Sequence, residues 1–369
     1  MSTVTSATLG FPRIGDNRQL KRALESYWSK KISETELIFA SKQVEEEAWR
    51  AQLDAGIDFV GVGDFSLYDH MLDWTVRFGL IPKQYSNLKG LDQYFSMARG
   101  SGGIDGIEAL DMTKWFDMNY HYLQPKIDAA MAPNPDFSDF LDRVKRAIAF
   151  FKSAKRVRPI VVGPVTYSAL SKLKGITVEA LTAKLRPVYK QLFANLVSLG
   201  VDCVQLHEPI LATTKGVALK EAFDTAFDSK MGIHLNAPKI NLVTYFDDIG
   251  EIYPWVTALP VAAISLDFTR GNTLALVKKY GFPKDKILGA GLISGRNVWR
   301  LNKDRLKALP IVKDLVKSGI SICVQPSCSL MHVPYTKTAE GELEVKGLKA
   351  VLSFAVEKLD EISVLKSHL

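Results

Sequence analysis

The polar residues that directly follow short apolar runs are where this chain could do chemistry. In order they are Arg13, Asp64, Gly163-Pro164, His207-Glu208-Pro209, Thr244 and Asp247, Asp267 and Arg270, Gly291, and Ser327-Cys328-Ser329. His207 beside Glu208 offers the residue types of an acid–base pair, yet neighbours on an extended strand point to opposite sides. Cys323 and Cys328 stand at an odd offset that would place them on opposite faces of a continuing strand, which argues against a shared metal. Lys114 and Asn119 sit among Trp115, Phe116, Tyr120, His121 and Tyr122, either a basic group beside an aromatic shelf or plain core packing. No His-Glu-x-x-His, Cys-x-x-Cys, Gly-x-Ser-x-Gly or phosphate-loop motif occurs, so no single motif names a reaction.

Eight short runs precede these residues: Thr8–Pro12, Asp58–Val62, Pro159–Val162, Asp202–Leu206, Ile240–Phe246, Ala263–Asp267, Ile287–Gly291 and Ser321–Gln325. Most gaps between them hold one helix and its loops. Apolar strands alternating with helices predict parallel pairing, and eight such units in series predict an α/β fold, a (β/α)8 TIM barrel with its functional face at the C-terminal strand ends. One barrel is expected over residues 1–369, with a long insertion at about 65–157 between strands 2 and 3 and a glycine-rich stretch, Gly100–Gly106, inside it. A doubly wound open sheet is less favoured, because no Gly-x-Gly-x-x-Gly turn follows a strand. Helices are expected over Asp16–Lys31, capped by Asp16 or Asn17, over Glu34–Ala55, and over Leu348–Leu369, where the apolar pattern runs almost to the last residue without a stop signal. On the first of these, Arg18, Lys21 and Arg22 form one basic edge beside the Leu20, Leu24 and Trp28 stripe.

The 47 Lys and Arg exceed the 40 Asp and Glu by 47 − 40 = 7, and no block of five basic residues occurs, which suits a small anionic ligand and not nucleic acid. No apolar run reaches the roughly 18 residues of a membrane span. The start of the chain lacks an apolar signal segment, and three cysteines fit a reducing, cytoplasmic setting.

Several segments together carry a family resemblance. Leu9-Gly10-Phe11-Pro12-Arg13-Ile14-Gly15 with Arg18, Leu20 and Lys21, Gly63-Asp64-Phe65 with Tyr68-Asp69, and Lys114-Trp115-Phe116-Asp117 with Asn119-Tyr120-His121-Tyr122 are three of them. Gly163-Pro164-Val165, Glu208-Pro209, Gly295-Arg296-Asn297-Val298-Trp299, and Ser327-Cys328-Ser329-Leu330 with His332 complete the set. The combination resembles the N-terminal barrel of cobalamin-independent methionine synthase from about residue 7 to the end of the chain.

That resemblance implies a protein of two face-to-face barrels that moves a methyl group from 5-methyltetrahydrofolate polyglutamate to homocysteine. It implies a zinc site in a C-terminal barrel beyond this chain, with no cofactor, metal or catalytic residue here. The zinc ligands, a His-x-Cys pair, a Glu and a Cys, would correspond to Ile240 and Leu242, Asp267 and Cys328. It also implies a role in binding the folate polyglutamate tail for Asn17, Arg18, Gln19, Leu20, Lys21, Lys114 and Asn119, with the acidic Asp16 as a departure from the family pattern. The implied partners are the folate and the C-terminal catalytic barrel, in the same chain or separate. The alternatives are a free-standing folate-binding or regulatory barrel, and a single-barrel decarboxylase of the uroporphyrinogen type, which needs an open barrel mouth.

Overall fold

Short runs of Val, Ile, Leu and Ala pair as parallel strands when both sheet faces are covered. In the computed structural model, which describes residues 2–101, 106–213, 217–227, 237–302, 306–339 and 347–369, eight runs do so. They are β1 Val4–Ser6, β2 Val60–Val62, β3 Val157–Val162, β4 Cys203–His207, β5 Lys239–Val243, β6 Ala263–Asp267, β7 Ile287–Ile293 and β8 Ile322–Pro326. The sheet runs β1-β8-β7-β6-β5-β4-β3-β2. A parallel bridge from Ala7 to Phe59 joins its two ends, with Thr8 N–H donating to Phe59 O at 3.2 Å, so the sheet closes as a barrel.

The two faces of the barrel wall differ in chemistry. Ser265 Oγ donates to Asn241 Oδ1 at 3.0 Å, and Gln205 Nε2 reaches across to Thr8 O at 2.8 Å. These polar groups therefore line the interior, and alternation turns Val204, Leu206, Ile240, Leu242, Ile264, Leu266, Leu288 and Val324, all buried, toward the outer helices.

The first strand corrects the expectation of Thr8–Pro12. β1 lies before that run, which instead crosses the rim: Phe11 N–H donates to Asp64 Oδ2 at 2.8 Å and Gly10 O accepts from Leu330 N–H at 3.1 Å. Leu9 and Phe11 are buried under loops, so their apolarity signals packing and not a ladder.

After β1 come α1 Gln19–Trp28 and α2 Glu34–Asp54. The segment between β2 and β3 supplies α3 His70–Arg77, α4 Gly90–Arg99 and α5 Ser138–Phe151. α6 Pro164–Leu170 and α7 Val178–Ser198 follow β3, and α8 Lys220–Phe227 follows β4. The remaining gaps hold α9 Tyr253–Ala258, α10 Thr273–Tyr280 and α11 Leu309–Lys317, and α12 Ala355–Ser367 closes the chain.

α1 starts at Gln19 and not at Asp16. Gln19 Nε2 donates to Asp16 Oδ1 at 2.6 Å and its Oε1 accepts from Asn17 N–H at 3.0 Å, which folds residues 16–19 into a turn. Arg18 then caps the helix in the left-handed region at φ 57° with no side-chain cap. Gly15 allows that turn, since a Cβ there would lie 2.2 Å from Gln19 Oε1. α12 likewise starts later than Leu348, because Leu352 bridges to Trp299 and Ser353 N–H is drawn to Val298 O at 2.8 Å. Of the Gly100–Gly106 stretch, residues 102–105 lie outside the described residues.

A second apolar cluster joins Leu20 and Leu24 of α1 to Leu37, Leu72, Tyr85, Tyr94, Phe95, Met97, Leu110 and Leu123. The insertion thus packs on the flank of α1. Among the described residues no helix is long and apolar enough to cross a membrane.

Glu45 of α2 ties that helix to α5. Its carboxylate, almost fully buried, pairs with Arg143 at 3.0 Å and with Arg146. Removing one partner of a buried pair strands the other charges, here two partly exposed guanidinium groups, so the cost falls below that of full burial. Glu45→Ala is expected to lower unfolding free energy by about 2–3 kcal/mol in urea titrations, and Arg146→Ala by less.

Candidate functional site

The hairpin Met112–Lys114 and His121–Leu123 pairs antiparallel, with Lys114 opposite His121. The residues between its strands cross the barrel mouth. Trp115 N–H donates to Tyr120 O at 2.8 Å, and the Trp115 ring, 2% exposed, meets the His70 ring edge-on at 4.4 Å. Phe116 packs on Phe246 at 5.7 Å. Both phenylalanines are left-handed, at φ 54° and 83°, which a bulky side chain adopts only when its surroundings impose it.

Charge fastens this strap to the far side of the barrel. Asp117 pairs with Arg270, beyond β6, at 3.1 Å and with Arg296, beyond β7, at 3.0 Å. Partial burial opposes ionisation, but the two guanidinium groups hold the Asp117 carboxyl below its ordinary range. Arg296 also stacks on Phe246 at 5.2 Å.

Under the strap little space remains. A void of ≈40 Å³ is lined by Asp64, His70, Trp115, His207, Tyr245 and His332 among others, room for about one water. Burial drives the three histidines down to about 3, so they are neutral. His70 Nδ1 lies 3.1 Å from Tyr120 Oη, and His207 Nε2 lies 3.3 Å from Gln205 Oε1. Glu208 turns the other way: its oxygens accept from Val165 N–H at 3.0 Å and Thr166 N–H at 2.7 Å, capping α6 from the neighbouring strand. Gly163 makes room, as a Cβ there would lie 2.1 Å from the Glu208 carboxyl. His207 and Glu208 are therefore not an acid–base couple, and a mouth this full does not suit the decarboxylase alternative.

The zinc implied by the resemblance does not fit the donors at the corresponding positions. Ile240 and Leu242 are aliphatic and face the outer helices. Asp267 Oδ1 is taken by Thr269 N–H and Oγ1, both at 2.7 Å. That leaves at most Asp267 and the buried Cys328, short of the three or four protein ligands a tetrahedral zinc site needs. Among the described residues no group of three or more His, Cys, Asp or Glu could hold a metal ion.

Beside the strap, by contrast, a cleft of ≈460 Å³ opens between α1 and the barrel rim. α1 contributes Leu20, Lys21, Leu24, Glu25 and Trp28, the rim Arg13, Leu67, Tyr68, Met331 and Val333, and the strap Tyr120. Leu20, Leu24 and Trp28 share one face at helical spacing, and Lys21 stands at its edge. The Lys21 ammonium is 3.7 Å from Glu25, with both side chains more than half exposed, a pair that an incoming anion can displace. Arg13 is committed to the loop, donating to Ser66 Oγ at 2.6 Å and to Tyr68 O. An apolar floor, two phenol rings and a cation at the edge suit an aromatic ligand that carries a carboxylate.

Of the residues singled out in the sequence, Leu20 and Lys21 line this cleft. Asn17 and Arg18 are exposed at the start of α1, Gln19 is used by the turn, and Lys114 and Asn119 stand exposed on the strap outside the lining. Tyr68, Trp28, Met331 and Val333 were not singled out as site residues. Tyr68 lies beside Asp69 in a segment of the resemblance, and Trp28 on the α1 stripe, so both had a signal; the other two had none.

Glu208 gives a pH test. Burial raises its carboxyl from 4.5 to about 7, so the folded chain keeps a proton that the unfolded chain releases near 4.5. Its contribution to stability is full below that value and fades as pH rises to 7. Glu208→Gln is expected to flatten the wild-type fall in unfolding free energy between pH 4.5 and 7 by about 2–3 kcal/mol, measured by denaturant titration at each pH.

Residues 5–318 match the family described as cobalamin-independent synthase, N-terminal domain. The chain is 47% identical over 367 residues to a 5-methyltetrahydropteroyltriglutamate–homocysteine methyltransferase of Trichodesmium erythraeum, covering 100% of this chain and 48% of that protein. It is 41% identical over 384 residues to the protein of the same name from Listeria welshimeri, with the same coverage. The chain thus spans about half the length of the curated relatives it matches. A B12-independent methionine synthase from Shewanella superposes with a TM-score of 0.63 at 13% identity, covering 99% of this chain and 96% of that one. A vitamin-B12-independent methionine synthase from Listeria monocytogenes gives 0.62, also at 13%, over 100% and 98%. At that identity the two structures speak for the fold alone. By the match over most of its length, the chain belongs to the family of the N-terminal domain of cobalamin-independent methionine synthases.

Proposed function

We propose that this chain contributes the tail-binding part of a folate site in a two-barrel methionine synthase, working with a C-terminal catalytic barrel in the cytoplasm. The observation that carries the reading is the cleft between α1 and the strap. Its apolar floor and phenol rings suit the aryl part of a folate, and Lys21 at its edge suits the first carboxylates of a glutamate tail. The reading extends to Asn17, Arg18 and Gln19 at the head of α1 and to Lys114 and Asn119 on the strap, which lie outside the lining. The names of the relatives, which specify a triglutamyl folate and homocysteine, support the same substrates here. Zinc, which would activate the homocysteine thiol, belongs in this reading to the other barrel. This chain's residues bind and orient the folate and move no proton.

Charge-assisted bonds to carboxylates are each worth about 1.5–3 kcal/mol, less when exposed. In the two-barrel enzyme, Lys21→Ala and Lys114→Ala are each expected to raise KM for the triglutamyl folate about tenfold, since 1.4 kcal/mol is a factor of ten. KM for homocysteine should stay unchanged, and the effect should shrink with a monoglutamyl substrate or at high salt. Wild-type kinetics for both variants with the triglutamate at low salt would remove the reading. The 369-residue chain purified alone should show no methyl transfer, and robust turnover free of host enzyme would contradict that.

A further inference from the structure

The far end of α1 carries a second cleft, of ≈740 Å³, whose wall includes Trp28, as does that of the first. Its aromatic side is Tyr27, Trp28 and Phe95, with Phe95 at 5.6 Å from Trp28 and 5.7 Å from Tyr27. Lys30, Lys31 and Arg99 supply three cations, and Asp92 is the acid on the lining. Arg99 stands over Trp28, its Cζ 3.8 Å from the ring centroid. That contact holds the guanidinium in place while its N–H groups stay available to a carboxylate. Among the described residues none of Lys30, Lys31 and Arg99 forms an ion pair. Three cations without an ion-pair partner around one aromatic-walled cleft call for an anion with several acceptor oxygens.

The two clefts are spaced for one extended ligand. Lys21 and Trp28 are seven residues apart on α1, about 10 Å along its axis. An extended peptide residue spans roughly 3.5 Å, so about three residues bridge that distance, and fewer when each is linked through its γ-carboxyl and so is longer. We propose that the Trp28–Arg99 cleft, with Lys30 and Lys31, is a distal subsite for the carboxylates of a γ-linked oligoglutamate beyond its second or third residue. This inference rests on the folate-tail reading given above for the first cleft. It makes the chain a reader of tail length, with α1 as the ruler.

The test is titration calorimetry on the 369-residue chain at low salt. The probes are 5-methyltetrahydrofolate bearing one, three and six glutamates, and a hexa-γ-glutamate peptide without the pteridine. The hexaglutamyl folate should bind about tenfold more tightly than the triglutamyl form, an increment of one charge-assisted contact. Arg99→Gln, and separately the surface pair Lys30→Gln with Lys31→Gln, should each weaken hexaglutamate binding about tenfold and weaken the monoglutamate less than twofold. Both should weaken the hexa-γ-glutamate peptide too. Near-ultraviolet circular dichroism checks that Arg99→Gln keeps its fold, and the lysine pair tests the subsite without touching the Trp28 stack. Equal affinity for three and six glutamates, or hexaglutamate binding indifferent to both variants, overturns the proposal. Lys21→Gln separates the two readings: if it weakens every glutamylated folate while the distal variants do nothing, the folate reading stands and the distal subsite falls. If no folate binds to this chain alone, the hexa-γ-glutamate peptide, which needs only the residues of this subsite, decides the proposal.

Discussion

The burial of Trp115 in the mouth of the barrel is the constraint on which the rest of the site depends. A (β/α)8 barrel presents its strand ends as a bowl, and the bowl is where ligands ordinarily sit. Here the strap fills it with an indole edge-on to His70 and leaves a void of ≈40 Å³. The same burial explains why His70, His207 and His332 are held neutral. Charging any of them would leave an ion in a void too small to hydrate it. Two phenylalanines in left-handed backbone and the pairing of Asp117 with Arg270 and Arg296 are the consequences of holding the strap in that position. An exposed ion pair contributes little alone, so the clamp serves mainly to direct a strap whose energy comes from its aromatic rings.

With the mouth closed, the larger clefts lie at the side of the barrel, along α1. α1 leaves the rim after a tight turn, and the insertion between β2 and β3 returns along its flank, so the two enclose clefts that the barrel alone would lack. The strap is at once the plug of one site and, through Tyr120, a wall of another. On the reading proposed above, this division suits a domain that would hold part of a ligand for chemistry conducted elsewhere. Of the four positions that would correspond to zinc ligands, Ile240 and Leu242 are aliphatic and cannot bind a metal.

Much of this was legible in the sequence. The order and number of the strands followed from apolar runs alternating with helices, because parallel strands covered on both faces need such runs. β6 was read to the residue, since Ala263–Asp267 is bounded by proline-containing and polar segments. The first strand was misplaced because Leu9 and Phe11 look like strand residues yet serve a rim loop whose backbone bonds go to Asp64 and Leu330. The start of α1 was misplaced because Asp16 and Gln19 satisfy each other, a local exchange that a capping rule does not anticipate. The spacing of Leu20, Leu24 and Trp28 marked an apolar face of α1, and that face lines the cleft. The opposite wall, Met331 and Val333, comes from more than 300 residues away in sequence, and no local pattern carries such a distance. The aromatic cluster at 115–122 was visible, but whether it formed a shelf or a plug depended on what it met across the mouth.

Native-state hydrogen exchange on the strap tests the closed mouth most directly. The Trp115 amide donates to Tyr120 O at 2.8 Å and the Met118 amide to Trp115 O at 3.1 Å. Amides in a segment held by buried rings exchange only through costly opening, whereas those of a surface loop exchange through small fluctuations. The account predicts that both amides are protected to nearly the same degree as those of β4 to β6. Exchange at the rate of an exposed loop, with the strands still protected, would show an open mouth and contradict it.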